Sequence, residues 1–259
     1  MKQENTKDSE VIYTLLGSED RLFDSESAPQ RFSFNEEVAE VFDNMVTRSV
    51  PMYQDVTRAV VDWALEVYQP NTNIYDVGCS TGTTIDAICR RFDKYGISGK
   101  FVGIDNSEAM VKRAKQKLQT WETNHVIDLK AQDAQAVNVE NASLVVMNYT
   151  LQFIPIFHRL DLLKNIFAGM QKNGVFILAE KVKSSSNLIQ KTTTRIYEQF
   201  KSDQGYSKTE IERKKEALDN VLIPLTFDKQ IEMLKDAGFS HVEPMFKWNN
   251  FVTLIAVKS

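Results

Sequence analysis

The chain has 259 residues, 42% of them hydrophobic and 25% charged, with a formal net charge of −4. That length supports a sizeable core, and the acid-leaning balance supplies no global field that would draw the protein to nucleic acid. No long apolar run or leader pattern stands out, and two cysteines with three scattered histidines make neither a disulfide framework nor a metal set, so the expectation is a soluble, cytoplasmic protein without a metal.

Residues 1–30 are polar and rich in Glu, Asp, Ser and Lys, which reads as a flexible arm with a short ordered piece over 11–16. From Asn35 onward Val38, Val41, Phe42 and Met45 recur at helical spacing. Pro51 disfavours helix at Val50 and ends that run. A second helix then carries Val56, Val60, Trp63, Ala64 and Val67. These two helices precede the sheet and are placed to cover a cleft. Tyr53, at their junction, is the aromatic expected beside a ligand there, with a core aromatic as its other reading.

The stretch from Asn73 to Thr84 is an apolar strand, a small-residue turn and the start of a helix. Gly78 and Gly82 have no Cβ and let backbone N–H groups approach a ligand. The helix opening at Thr83 adds its unpaired N–H groups and the positive end of its dipole. This makes a cradle for a small polar ligand at the carboxyl end of a first strand. One β–α unit later, 100–105 is a second strand ending in Asp105, and Asn106-Ser107 opens a helix. An acid at that tip can accept both hydroxyls of a ribose, cap the helix, or do both.

The alternation continues as in a doubly wound α/β sheet, with strands over 126–131, 143–148 and 175–178. Asp133 follows the third strand, where a carboxylate can accept from an adenine amino group. Asn148 ends the fourth, where its amide both donates and accepts. A helical insertion over 183–224 then interrupts the pattern, as helices at 187–200 and 208–222. Its second helix is dense in charge, which reads either as a solvated face or as the source of a cation reaching into the cleft. A helix over 228–237 and strands over 241–247 and 250–257 complete the chain.

The turn Gly78-Cys79-Ser80-Thr81-Gly82, with Asp76 two residues before it, departs from a nicotinamide dinucleotide fingerprint at Ser80. It resembles instead the first motif of class I S-adenosylmethionine (SAM)-dependent enzymes, with one glycine relaxed to serine. Longer stretches narrow the likeness. Phe42-x-x-Met45-x-x-Arg48-Ser49-Val50-Pro51-x-Tyr53, Tyr75 to Ser80, Gly103 to Ser107, Glu140 to Ser143, Thr150-Leu151-Gln152-Phe153 and Gly205-Tyr206-Ser207 resemble carboxy-S-adenosylmethionine synthases, in order from about Phe34 to Lys258.

The resemblance implies a Rossmann-like class I SAM-methyltransferase fold. Its seven-stranded, mostly parallel sheet has an antiparallel last strand, a helical N-terminal cover and the helical insertion as lid or dimer element, all in one SAM-binding domain over 31–259. It implies conversion of SAM and prephenate to carboxy-SAM and phenylpyruvate, in which prephenate loses carbon dioxide, its departing hydroxide takes a proton from the sulfonium methyl, and the ylide captures the carbon dioxide. By the same likeness Tyr53, Gly78, Cys79, Ser80, Asp105, Asn106, Asp133, Ala134 and Asn148 fall on SAM contacts. The family's carboxylate-binding arginine falls on Lys215 in the ungapped register. Arg213 takes that role only if the helix is shifted, and lysine lacks arginine's two-pronged geometry. A homodimer is implied, as is delivery of the product to a separate tRNA-modifying enzyme, without direct contact to nucleic acid or membrane. A conventional small-molecule methyltransferase, or a SAM-binding protein without turnover, are the alternatives.

Overall fold

The computed structural model describes residues 19–24 and 32–259. The expected arm over 1–30 lies mostly outside that range, as does its ordered piece over 11–16. Its described part, residues 19–24, packs: Phe23 is buried with Phe32, Val38, Val41, Met45 and Ala217.

Two helices lead, α1 (Glu36–Ser49) and α2 (Tyr53–Val67). Asn35 caps α1 by accepting from the Val38 N–H at 3.0 Å, and Glu36 and Glu37 suit the positive end of its dipole. The sheet then alternates with helices: β1 (Asn73–Val77), α3 (Thr83–Lys94), β2 (Lys100–Asp105), α4 (Glu108–Leu118), β3 (Val126–Ala131), β4 (Ala142–Asn148), α5 (Ile156–Gly169) and β5 (Met170–Lys181). The insertion forms α6 (Asn187–Asp203) and α7 (Lys208–Ala217), and α8 (Phe227–Asp236), β6 (His241–Trp248) and β7 (Phe251–Val257) follow.

The strand order is β3-β2-β1-β4-β5-β7-β6. Strands β1 to β5 pair parallel, whereas β7 runs antiparallel to both β5 and β6. Because side chains alternate across a strand, each central strand feeds two cores. Tyr75, Val145, Met147 and Phe176 face α5 and α8. Ile74, Leu144, Val146 and Ile177 face α2 and α3. The order reverses between β1 and β4, and a crevice opens there at their carboxyl ends.

Several boundaries differ from the sequence reading. The second inserted helix stops at Ala217 rather than 222: Asn220 turns left-handed at φ 56°, and the Ile223 N–H bonds to the Gln152 carbonyl. The first runs on to Asp203 and ends before Gly205, at φ 87°. Strand β5 starts at Met170, five residues before its expected start at Val175, because the Asn173-Gly174 pair is absorbed as an irregularity in register against β4.

Candidate active site

A cavity of about 540 Å³ opens at the crevice and runs from the β1 turn to the inserted helices. At its first end the turn is tightly built. Gly78 and Gly82 take φ of 84° and 79°, and a Cβ on Gly78 would fall 2.0 Å from the Thr150 hydroxyl. Ser80 is also left-handed, at φ 49°, and its N–H donates to Asp105 Oδ2 at 2.9 Å. The other Asp105 oxygen accepts from the Ser107 N–H at 2.9 Å. Burial pushes the Asp105 carboxyl up, while those two N–H groups pull it down.

Two acceptors at neighbouring strand ends have no partner: Asp76 Oδ2 on β1 and Asn148 Oδ1 on β4 are buried and line the cavity. Burial first, and the Asp105 charge second, raise Asp76 to about 7. Orphaned acceptors side by side call for a ligand that donates, such as an ammonium group. Cys79 is neutral at any working pH, because burial and then Asp76 and Asp105 raise its thiol well above the ordinary range.

Helix α1 is fastened to this turn. Asp43 Oδ1 accepts from the Thr81 and Thr83 hydroxyls at 2.6 and 2.9 Å, and Oδ2 accepts from Lys117 Nζ at 2.7 Å. The cavity walls are aromatic, with Phe34, Phe42, Phe153 and Phe251. Tyr53 and Tyr149 meet there with centroids 6.4 Å apart. Tyr149 is held at φ 59°, a costly backbone conformation for a bulky residue.

The far end is basic. Lys181, Lys201, Lys214 and Lys215 all line it, with Tyr197 and Glu198. A clasp closes it from above: Arg48 of α1 donates from Nε to the Gln204 carbonyl at 2.9 Å and sits 4.2 Å from the Tyr206 ring centroid. At the next residue of α1, the Ser49 carbonyl accepts from the Tyr197 hydroxyl at 2.8 Å. Beneath, on the core side of β5, Glu180 is fully buried. Burial raises it to about 8, while the buried Arg159 charge pulls the other way.

The chain is 45% identical over 254 residues to the carboxy-S-adenosyl-L-methionine synthase of Trichodesmium erythraeum, spanning 98% of this chain and 99% of that one. It belongs to the carboxy-S-adenosyl-L-methionine synthase family. The synthase of that name from Methylococcus capsulatus is 40% identical, over 93% of this chain and all of its own. A family model described as a methyltransferase domain matches residues 75–176. Among solved structures, the magnesium protoporphyrin IX methyltransferase of Synechocystis superposes with a TM-score of 0.58 at 15% identity, covering 83% of this chain and 87% of that one. At that identity the likeness shows the fold.

Set in this synthase-family fold, the nine residues expected to contact SAM (Tyr53, Gly78, Cys79, Ser80, Asp105, Asn106, Asp133, Ala134 and Asn148) all line the one cavity. The two expected cations separate. Lys215 lines the far end, with its ammonium 2.9 Å from Glu198 and its side chain 63% exposed. Arg213 is not among the lining residues: its guanidinium points to the arm, donating to the Phe23 and Asp24 carbonyls at 3.2 and 3.1 Å. Positions two apart on α7 face different ways, and the unshifted register is the one that faces inward. Sequence reasoning missed Lys181, Lys201, Lys214, Tyr197, Tyr149 and Asp43. A rule could have found Lys181, at the carboxyl end of a sheet strand, and Tyr197 with Lys201, four apart on one helix face.

Proposed function

We propose that this protein converts SAM and prephenate to carboxy-SAM and phenylpyruvate. The observation that carries the reading is the continuity of the cavity: one volume joins the nucleoside cradle to a lysine-lined end. The near full-length likeness to proteins named carboxy-SAM synthase supports it.

Asp105 receives the ribose hydroxyls, Asp133 the adenine amino group, and Asp76 with Asn148 the amino group of the methionine moiety. The backbone of Gly78, Cys79 and Ser80 lies along the nucleoside, and Asn106 and Ala134 flank the base. Tyr53 stands beside the sulfonium, packed on Tyr149. SAM brings the acidic methyl group and prephenate the carbon dioxide and the hydroxide that removes the proton, so the chain itself must orient the two and keep water away. Aromatic walls and the Arg48–Tyr206 clasp fit that task. None of the three histidines lines the cavity, which accords with a base delivered by the substrate.

The unit over 31–259 acts as one catalytic domain, with 183–224 as its lid. That insertion also forms the surface of a homodimer, for which the exposed Leu188, Ile189 and Ile196 of α6 are the apolar contacts. The product passes to a separate enzyme that modifies the tRNA wobble uridine. With a net charge of −4, this chain is not proposed to hold the tRNA.

The test is mass spectrometry of the protein incubated with SAM, with and without prephenate. A species heavier than SAM by one carbon dioxide, formed only with prephenate, is the expected result. S-adenosylhomocysteine formed with an acceptor, and no carboxylated species under any condition, would make the chain a conventional methyltransferase instead.

A further inference from the structure

Four lysine ammonium groups meet at the far end of the cavity, and among the described residues only two of them have a carboxylate within ion-pair distance. Lys214 Nζ lies 3.5 Å from Asp20 Oδ2, both side chains almost wholly buried. Lys215 Nζ lies 2.9 Å from Glu198. Among the described residues, no carboxylate lies within ion-pair distance of Lys181 or Lys201. Both rest instead on the Tyr197 ring, 4.7 and 4.5 Å from its centroid. That ring is held in place by its hydroxyl on the Ser49 carbonyl. Lys201 is only 6% exposed, so water screens little of its repulsion from Lys181. Two like charges gathered on one ring inside a cavity are costly without an anion between them.

Glu180 precedes Lys181 but points to the opposite face of β5. Held up to about 8 by its burial, it stays protonated at neutral pH and offers Lys181 no charge. The charge of Glu198 reaches both lysines, but that carboxylate is in contact with Lys215, so a close partner for Lys181 and Lys201 has to arrive with a ligand.

We propose that Lys181 and Lys201, mounted on Tyr197, are the residues that grip the carboxylate of the second substrate, and that Lys215, engaged by Glu198 at the rim, is not. The proposal rests on the function proposed above for this cavity, and it assigns the grip to β5 and α6 rather than to the α7 position that matches the family arginine. Its electrostatics are set by the groups facing the pair from every side: Glu198 on α6, and Lys214 and Lys215 on α7. Burial first, then Lys181 and Lys214, depress Lys201 to about 8, and an incoming carboxylate restores the charged form.

The experiment is calorimetric titration of prephenate into the protein saturated with S-adenosylhomocysteine, which cannot react. Lys201→Met and Lys181→Met are expected to weaken binding roughly tenfold to a hundredfold, as for loss of a buried charge-assisted bond. Lys201→Arg is expected to recover most of that loss, and Lys215→Met to stay within about threefold of the unaltered protein. Affinity of the unaltered protein is expected to fall as pH rises through about 8, and Lys201→Met to lose that dependence. Thermal melts show whether each variant is folded; should one substitution unfold the chain, the other lysine, on a different element, decides. Prephenate binding that survives both lysine substitutions, or that Lys215→Met abolishes, overturns the proposal, as does no binding at all. Turnover is read separately: carboxylated product that forms without regard to Lys181 and Lys201 defeats this proposal alone, whereas lysine-dependent binding without product defeats the proposed function alone.

Discussion

Asp76 shows how much one side chain can hide in a sequence. Two residues before Gly78 it reads as part of a motif, yet its chemistry comes from burial and from Asp105, which together raise it to about 7 and leave Oδ2 without a partner. A cationic ligand binds the ionised form better, so the carboxyl must lose its proton on binding whenever the pH is below about 7. SAM affinity is therefore expected to fall with pH below that value, approaching tenfold per unit, in titrations between pH 5.5 and 8. Asp76→Asn should bind more weakly at pH 8 and flatten the dependence. A profile unchanged by the substitution would remove Asp76 from the site. The same limit applies to Lys215 and Arg213. The register placed both on a charged helix, but which one faced the cavity depended on how α7 lies against α1 and the arm.

At the scale of elements, two motifs of the sequence turn out to be halves of one contact. Arg48 lies in the Arg-Ser-Val-Pro-x-Tyr stretch and Tyr206 in Gly-Tyr-Ser, yet the guanidinium sits 4.2 Å from the ring centroid. Gly205, at φ 87°, lets the chain turn beneath it: a Cβ there would lie 3.4 Å from Arg48 Nη2. Pro51, which ends α1, thereby sets where the cover is pinned. A partly desolvated cation–π contact with a hydrogen bond to Gln204 is worth about 1–3 kcal/mol. Arg48→Ala should raise amide exchange in α6 and α7 by roughly fivefold to a hundredfold, leaving the central strands unchanged, as read by hydrogen-exchange mass spectrometry. Uniformly faster exchange through the sheet would instead mean a general loss of stability. Turnover should drop alongside, since water then enters the cavity in which the proposed reaction takes place.

For the whole molecule, the outstanding feature is the outer face of α6. Leu188 is 75% exposed and Ile189 55%, on the element whose inner face carries Tyr197 and Lys201. Apolar side chains gathered on one helix suit the homodimer proposed above. Sedimentation velocity should show a dimer for the unaltered protein and a monomer for Leu188→Glu combined with Ile189→Glu. A monomer in both cases would defeat the dimer and leave the cavity chemistry untouched.

What the sequence determined by itself was whatever is written locally: the glycine-bearing turn after β1, the acid ending β2, and the order of elements that yields a mostly parallel sheet. Each follows from backbone freedom, capping or side-chain period, which need only neighbours along the chain. The extent of α7 and the start of β5 were misjudged because Asn220 and the Asn173-Gly174 pair take conformations set by distant partners. Tertiary structure alone decided that Asp43 reaches Lys117, that Tyr149 stands left-handed in the wall, and that two lysines of four have, among the described residues, no carboxylate within ion-pair distance. Burial and charge balance are sums over residues far apart in the chain, so they exist only once the chain has folded.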